Sequence, residues 1–285
     1  MKFTIKDFKK RFPNDEACLD ELMLKRFGSV SNCPDCKKQT NFHKVKKRKC
    51  YECQWCGFQI SPTAGTIFHK SSTPLTDWFY VMYLMTATRS GVSAKEVERQ
   101  LGVTYKTAWR MCHQIRKAMN EDKEKLKGQV ELDETYVGGK KKGKRGRGAD
   151  GKTPVFGAVE REGKLEAKVV ENCKSKTLMP IVKETVEEGS DLMTDEFKSY
   201  NKLAKLGYRH ERVRHSAKEY VNGMAHTNSI EGFWSQLKRG ISGTHIWVSK
   251  KHLQNYVNEF SFRYNQRGES IPMFDRLFQN LVRLS

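Results

Sequence analysis

Residues 130–139 read Val-Glu-Leu-Asp-Glu-Thr-Tyr-Val-Gly-Gly. The pattern is that of a buried strand that brings an acid to its end and stops at two glycines. Strand side chains alternate, so Glu131, Asp133 and Thr135 fall on one face and Leu132 and Glu134 on the other. A carboxylate beside an apolar strand centre is costly unless something neutralises it, and a divalent cation is one such partner; a solvated edge strand is the alternative. Residues 191–194 form a second short strand that delivers Asp195. Further on, a helix opens near His226, with Ile230, Phe233, Trp234, Leu237 and Ile241 at core spacing. Asn228, Glu231, Ser235 and Lys238 make an adjoining polar strip. Taken alone the strip is a solvated helix face. Beside two strand-end aspartates, Glu231 becomes a candidate third metal ligand and Lys238 a candidate phosphate contact.

A second chemistry resides in the cysteines. Cys33-Pro-Asp-Cys36 and Cys53-Gln-Trp-Cys56 are two Cys-x-x-Cys knuckles separated by a basic hairpin. Four thiolates at that spacing suit one tetrahedral Zn²⁺, with no position left for water, so the ion is structural. Cys50 offers an alternative second knuckle with Cys53. Gly57, where a knuckle turn tolerates glycine, favours Cys53 and Cys56. The hairpin residues Lys44, Lys46, Lys47, Arg48 and Lys49 are either a phosphate-contacting edge or a solvated loop.

The chain carries 53 Lys and Arg against 33 Asp and Glu over 285 residues, a net charge of +20. Such an excess favours a polyanionic partner, most often nucleic acid. The charge is also clustered: residues 140–148 read Lys-Lys-Lys-Gly-Lys-Arg-Gly-Arg-Gly. Lys140, Lys141, Lys142, Lys144, Arg145 and Arg147 are expected to contact a phosphate backbone from a loop. The longest apolar run, 78–87, is too short to span a bilayer, and no secretory signal is visible. The expectation is a soluble, cytoplasmic protein without membrane contact, in which eight cysteines serve as metal ligands or free thiols rather than disulfides.

These groups need elements to position them. Residues 1–29 read as a helical lead-in interrupted by Pro13, and 30–70 as the zinc-binding module. Residues 71–120 hold a helix with Trp78, Val81, Met82 and Met85 inward, followed by a helical pair. Ser93 to Glu96 reads as a reciprocal capping box, Gly102 as the turn and Thr104 as the next cap. The second helix of the pair buries Ala108, Met111, Ile115 and Ala118 and turns Lys106, Arg110, His113 and Lys117 outward, like the recognition helix of a helix-turn-helix. Residues 128–285 complete an α/β unit: strand, hairpin (153–159 and 165–170), helix (175–188), strand, strand (208–215) and two helices. Functional groups then gather at the ends of the strands bearing Asp133 and Asp195.

Four blocks in this order are specific. The zinc module runs into Ser-Pro-Thr-Ala-Gly-Thr-Ile-Phe at 61–68; the others are Lys-Thr-Ala-Trp-Arg-Met at 106–111, the 131–139 stretch, and Asn-Ser-Ile-Glu-Gly-Phe-Trp at 228–234. Together they resemble the IS1595-type (ISXO2-like) insertion-sequence transposases over nearly the whole chain. The resemblance implies an RNase H-like mixed-sheet catalytic domain of the DDE class, preceded by a zinc ribbon and a helix-turn-helix. It implies two catalytic Mg²⁺ or Mn²⁺ ions and double-stranded DNA as substrate, both terminal inverted repeats and target. By position, Asp133 is the first acid and Asp195 the second. The third is Asn228 or Glu231; a carboxylate holds Mg²⁺ better than an amide, which favours Glu231. The implied activity is strand cleavage and strand transfer, with Lys238 and Arg239 on phosphates and self-association when two ends are joined. The competing classes are a domesticated DNA-binding regulator and an RNase H-like nuclease without strand transfer.

Overall fold

The computed structural model describes residues 3–29, 31–46, 48–120, 124–139, 151–212 and 227–283. The chain forms two units, Met1–Met119 with Gly268–Ser285, and Asn120–Arg267. The basic run at 140–148, with its six candidate phosphate contacts, lies outside the described residues.

In the first unit, α1 (Ile5–Arg11) starts at Thr4, whose side chain and that of Asp7 satisfy each other's backbone amides. Helix α2 (Asp15–Phe27) starts at the Asn14 cap. The zinc module follows as a two-stranded ladder, β1 (Ser31–Asn32) with β2 (Gln39–Thr40), and a three-stranded antiparallel sheet, β3 (Phe42–Lys44), β4 (Tyr51–Cys53) and β5 (Gln59–Ile60). Then come α3 (Leu75–Ala87), α4 (Ala94–Leu101) and α5 (Tyr105–Ala118). Gly102, left-handed at φ 66°, makes the turn between α4 and α5. The Ser93 and Thr104 hydroxyls accept from the amides of Glu96 and Thr107. The reciprocal half of the expected box is not formed: the Glu96 carboxylate is taken by Gln100 at 2.7 Å and Arg99 at 3.2 Å, partners that lie on its own helix surface.

The domain boundary differs from expectation at its far end. The segment after Arg267 belongs to the first unit, where a helix over Met273–Arg283 inserts Phe274 and Phe278 among Phe8, Phe12 and Phe79. Arg11 joins α1 to this helix, donating to Asp275 and to Glu21 at 2.6 Å each.

The second unit is built on a five-stranded mixed sheet in the order β10-β9-β6-β7-β8. Its strands are β6 (Gln129–Val137), β7 (Thr153–Glu160), β8 (Leu165–Val169), β9 (Asp191–Thr194) and β10 (Arg209–Arg212). The first three form an antiparallel meander; β9 and β10 add in parallel on the far side of β6. Helix α6 (Ser175–Thr185) supplies the crossover that a parallel connection requires. It is shorter than expected, because Val186 leaves the helix to bridge Leu126. One sheet face packs Val130, Leu132, Phe156 and Ala158 against Leu178 and Val182 of α6. The other packs Val137, Val155, Val159 and Ala167 against α7 (Asn228–Gly240) and α8 (Lys250–Asn265).

Helix α7 lies close to the sheet because β7 has a glycine where the helix crosses. A Cβ on Gly157 would sit 2.6 Å and 2.7 Å from the Trp234 ring and 2.8 Å from Ile230. Both of those side chains are buried and have no room to retreat. Gly157→Ala is therefore expected to destabilise the protein by about 1–3 kcal/mol through overpacking, lowering Tm by roughly 5 °C. Differential scanning fluorimetry reads this directly, and an unchanged Tm would mean that the helix is not seated so tightly.

Candidate active site

Asp133 is the fifth of nine residues in β6 and pairs with Gly157. It is therefore mid-strand, not at a strand end as expected, because the ladder with β7 continues to Val137. On its other side the parallel ladder with β9 stops at Glu131 and Met193. Two residues further along β6 stands Asp133, and Asp195 is the first residue past the end of β9. Asp133 faces α7, and Asp195 lies near enough to raise its pKa. Asp195 is oriented by the Phe197 amide, which donates to Oδ1 at 2.9 Å. Beside it His210 contacts Thr194 Oγ1 at 2.9 Å, and burial, then Arg212, pushes the imidazole down to about 4, so it is neutral.

The third group comes from α7. Glu231 and Asn228 are exposed, and Glu231 Oε1 accepts from the Thr227 hydroxyl at 3.0 Å. The expected apolar stripe of Ile230, Phe233, Trp234, Leu237 and Ile241 is buried. Trp234 has a second role that its place in the stripe did not reveal: its indole Nε1 donates to Asp133 Oδ2 at 3.0 Å.

Glu131 is the residue that sequence reasoning left without a task. It is fully buried, and its Oε2 accepts from the Ser229 and Ile230 amides at 2.9 and 3.1 Å. Oε1 accepts from Arg161 Nε at 3.1 Å. A carboxylate thus caps the N-terminus of α7, satisfying amides the helix leaves open and complementing its dipole. Strand alternation placed Glu131 on the Asp133 face, but no local signal links it to a helix about a hundred residues later.

The electrostatics join the three acids. Burial, then Asp195 and more weakly Glu231, raise the Asp133 carboxyl to about 6, against the opposing pull of the Glu134 amide and the Trp234 indole. Oxygen donors crowding negative charge on one face suit a hard divalent cation. The carboxylates are not gathered to bonding distance of a shared ion, as the cysteines are, in keeping with the mutual repulsion of like charges.

The cysteine site is tighter. Sγ atoms of Cys33, Cys36, Cys53 and Cys56 all lie within 4.8 Å of one another, with Cys33–Cys56 at 3.6 Å and Cys36–Cys53 at 3.8 Å. A tetrahedron with Zn–S bonds near 2.3 Å has edges of about 3.8 Å, so the set fits Zn²⁺. Cys50 points elsewhere, with Sγ 3.7 Å from Gln59 Oε1. Burial pushes Cys53 up, but the amides of Cys56 and Trp55 outweigh it and bring the thiol to about 6. For Cys56 the Phe58 amide pulls downward and is outweighed by burial and by the other three thiols, which raise it to about 12. Four thiols this close release all their protons only around a cation. Of the hairpin bases, Lys44 faces Asp20 and Glu16 at 3.3 and 3.8 Å and Lys49 faces Asp15 at 3.6 Å, so part of the expected phosphate-contacting edge is paired with α2.

Comparison with known proteins places these two sites in one family. The ISXO2-like transposase domain matches residues 125–265, and the transposase zinc-ribbon domain matches 13–59. The chain belongs to the IS1595-type, ISXO2-like transposases. It is 28% identical over 275 residues to an uncharacterized protein in transposable element ISH50 of Halobacterium salinarum, covering 89% of this chain and 92% of that one. It is 33% identical over 102 residues to an uncharacterized transposase-like protein of Haemophilus influenzae, covering 36% and 81%. A chain in the cryoEM structure of the simian T-cell lymphotropic virus intasome with PP2A regulatory subunit B56 gamma aligns over 64% of this chain and 73% of its own. Its TM-score of 0.30 and 12% identity are too low to bear on the fold. Membership makes this an insertion-sequence transposase with a zinc ribbon and implies an RNase H-like catalytic domain, with which the mixed sheet agrees. Among the described residues no helix is long and apolar enough to cross a membrane.

Two outcomes follow. Zinc content should be about one ion per chain, retained in Cys50→Ala and lost in Cys36→Ala; the reverse pattern would overturn the ligand set. For Asp133, the folded pKa of about 6 lies above the ordinary aspartate value of 3.8, so the folded state holds the proton more tightly. Its stabilising contribution is full below pH 3.8 and is lost as pH rises to about 6, at most about 3 kcal/mol. Asp133→Asn should flatten that decline in Tm when measured without added Mg²⁺ or Mn²⁺. A variant with the wild-type decline would show that Asp133 does not carry it.

Proposed function

We propose that this transposase cleaves DNA at terminal repeats and joins the freed ends to target DNA, with Asp133, Asp195 and Glu231 as the catalytic carboxylates. The observation that carries this reading is the nearness of Asp133 on β6, Asp195 just past the end of the neighbouring β9, and Glu231 on α7, the last two both raising the Asp133 pKa. These three side chains, with the Asn228 amide beside them, would hold two Mg²⁺ or Mn²⁺ ions. Such ions supply Lewis acidity and an activated oxygen nucleophile to in-line displacement at phosphorus.

Around them the chain's own residues orient and bind. Trp234 fixes the Asp133 carboxylate and Thr227 restrains Glu231. Glu131 holds the start of α7 against the sheet. Water attacks a phosphodiester at the element's end and releases a 3′-hydroxyl, which then displaces a 3′-oxygen in target DNA. Each step breaks one P–O bond as another forms, so no protein nucleophile is needed. The α4–α5 pair is read as a helix-turn-helix that docks on terminal repeats. Lys106 and Arg110 are exposed on α5, Arg110 lying 5.4 Å over the Trp78 ring. Lys238 and Arg239 are exposed on α7 and serve as phosphate contacts, together with the basic run at 140–148. Two ends joined in one event call for self-association of the chain.

The test is terminal-repeat DNA with Mg²⁺, scored for binding, nicking and joining. Asp133→Asn and Glu231→Gln should each cut about a thousandfold more slowly, the equivalent of several kcal/mol of lost cation chemistry, while still binding. Asn228→Ala should lose only about 10–100-fold, as for a group that supports a ligand. Binding without nicking by the wild-type protein would leave a DNA-binding regulator, and nicking without joining a nuclease.

A further inference from the structure

After α7 the backbone passes through a π-helical turn, Ile241–His245, and then a strained corner. Ile246 has φ 63° and ψ −54°, and the Trp247 amide donates to the His245 carbonyl at 2.6 Å. That is a γ-turn of the rare, strained form, occupied by a β-branched residue that disfavours positive φ. Such conformations persist where the surroundings enforce them, and they cluster at functional sites.

The surroundings here do enforce it. Ile241 is buried, Val248 packs on the core, and the His245 ring meets Tyr256 of α8 edge-on at 4.8 Å. Gly240, just before the turn, touches α8 so closely that a Cβ would come within 2.0 Å of the Phe260 ring. The effect of this rigid base is to push two large apolar side chains into solvent. Ile246 is 84% exposed and Trp247 65%, the highest values among the exposed large hydrophobic residues described, and they are adjacent. Lys238 and Arg239 before them and Lys250 and Lys251 after them are exposed.

We propose that Ile246 and Trp247 form a wedge that enters DNA and unstacks a base step about six base pairs from the cleavage site. An aliphatic and an aromatic side chain on a rigid turn, flanked by cations, match the chemistry of stacked bases framed by phosphates. The flanking charge favours DNA over an apolar surface on a second copy of the chain. The inference rests on the proposed catalytic face, because the wedge ends the helix that carries Glu231. From Glu231 to Ile246 the helical path covers about 20 Å, or roughly six base pairs of a duplex following α7.

The experiment uses full-length protein and terminal-repeat duplexes with one 2-aminopurine at each successive position, in Ca²⁺ to prevent cutting. Wild type should raise fluorescence at one or two adjacent positions about six base pairs from the cut. Trp247→Ala and Ile246→Ala should abolish the rise, Trp247→Phe should keep part of it, and affinity should fall by no more than about tenfold because phosphate contacts remain. Unchanged Tm checks that these exposed substitutions leave the fold intact. Wild-type binding with no rise at any position, or an equal rise with Trp247→Ala, overturns the wedge and leaves the cutting reading standing. A dimer that dissociates in Trp247→Ala while the rise persists assigns the surface to self-association and equally overturns it. Failure of the wild type to bind the duplex sinks both readings.

Discussion

Everything at the acidic face depends on how α7 is pinned to the sheet. Two contacts set its position. At its first turn the Glu131 carboxylate receives two helix amides and the Arg161 guanidinium. One turn on, Gly157 leaves the space that Trp234 and Ile230 fill. The first contact is directional and the second steric, so together they fix both where the helix begins and how close it lies. A buried ion pair of this kind is costly to break, because the carboxylate left behind has no water to turn to. Glu231, Asn228 and the Trp234 indole inherit their positions from these two contacts.

This arrangement also explains why acids can crowd one face of a strongly basic chain. Asp133 is held by the Glu134 amide and the Trp234 indole, and its proton affinity rises because it is buried and because Asp195 and Glu231 add negative charge nearby. The strain is electrostatic and local. A protein with a net charge of +20 attracts polyanions over its surface generally, and neighbouring carboxylates add local negative charge that favours cations. The zinc ribbon follows the opposite logic. Its four thiols close around one centre, so its ion organises short strands that could not build a core of their own.

Much of this was legible in the sequence, for identifiable reasons. The cysteine spacing is local, and a knuckle turn encodes its own geometry. The caps at Ser93 and Thr104, the Gly102 turn and the α7 stripe are likewise set within a few residues, and the structure has them. What the sequence did not disclose are pairings between distant segments. Alternation identified the face of Glu131 but not its partners on α7. Asp133 was placed at a strand end because Gly138 and Gly139 were visible, whereas the ladder to β7 that carries the strand past it was not. The amphipathic helix at Met273–Arg283 went unread, and periodicity in any case names an apolar face without naming what that face will cover.

That helix has a consequence for how the protein comes into being. The aromatic core of the first unit takes Phe274 and Phe278 from a segment translated after the whole of the second. On the ribosome the five-stranded sheet can close while the amino-terminal unit still lacks part of its interior. The amino-terminal unit stays incomplete until residues 273–283 emerge, so a chain interrupted before them would carry a finished five-stranded sheet and an unfinished aromatic core. Synthesis order thus lets one unit close before the other has all of its interior.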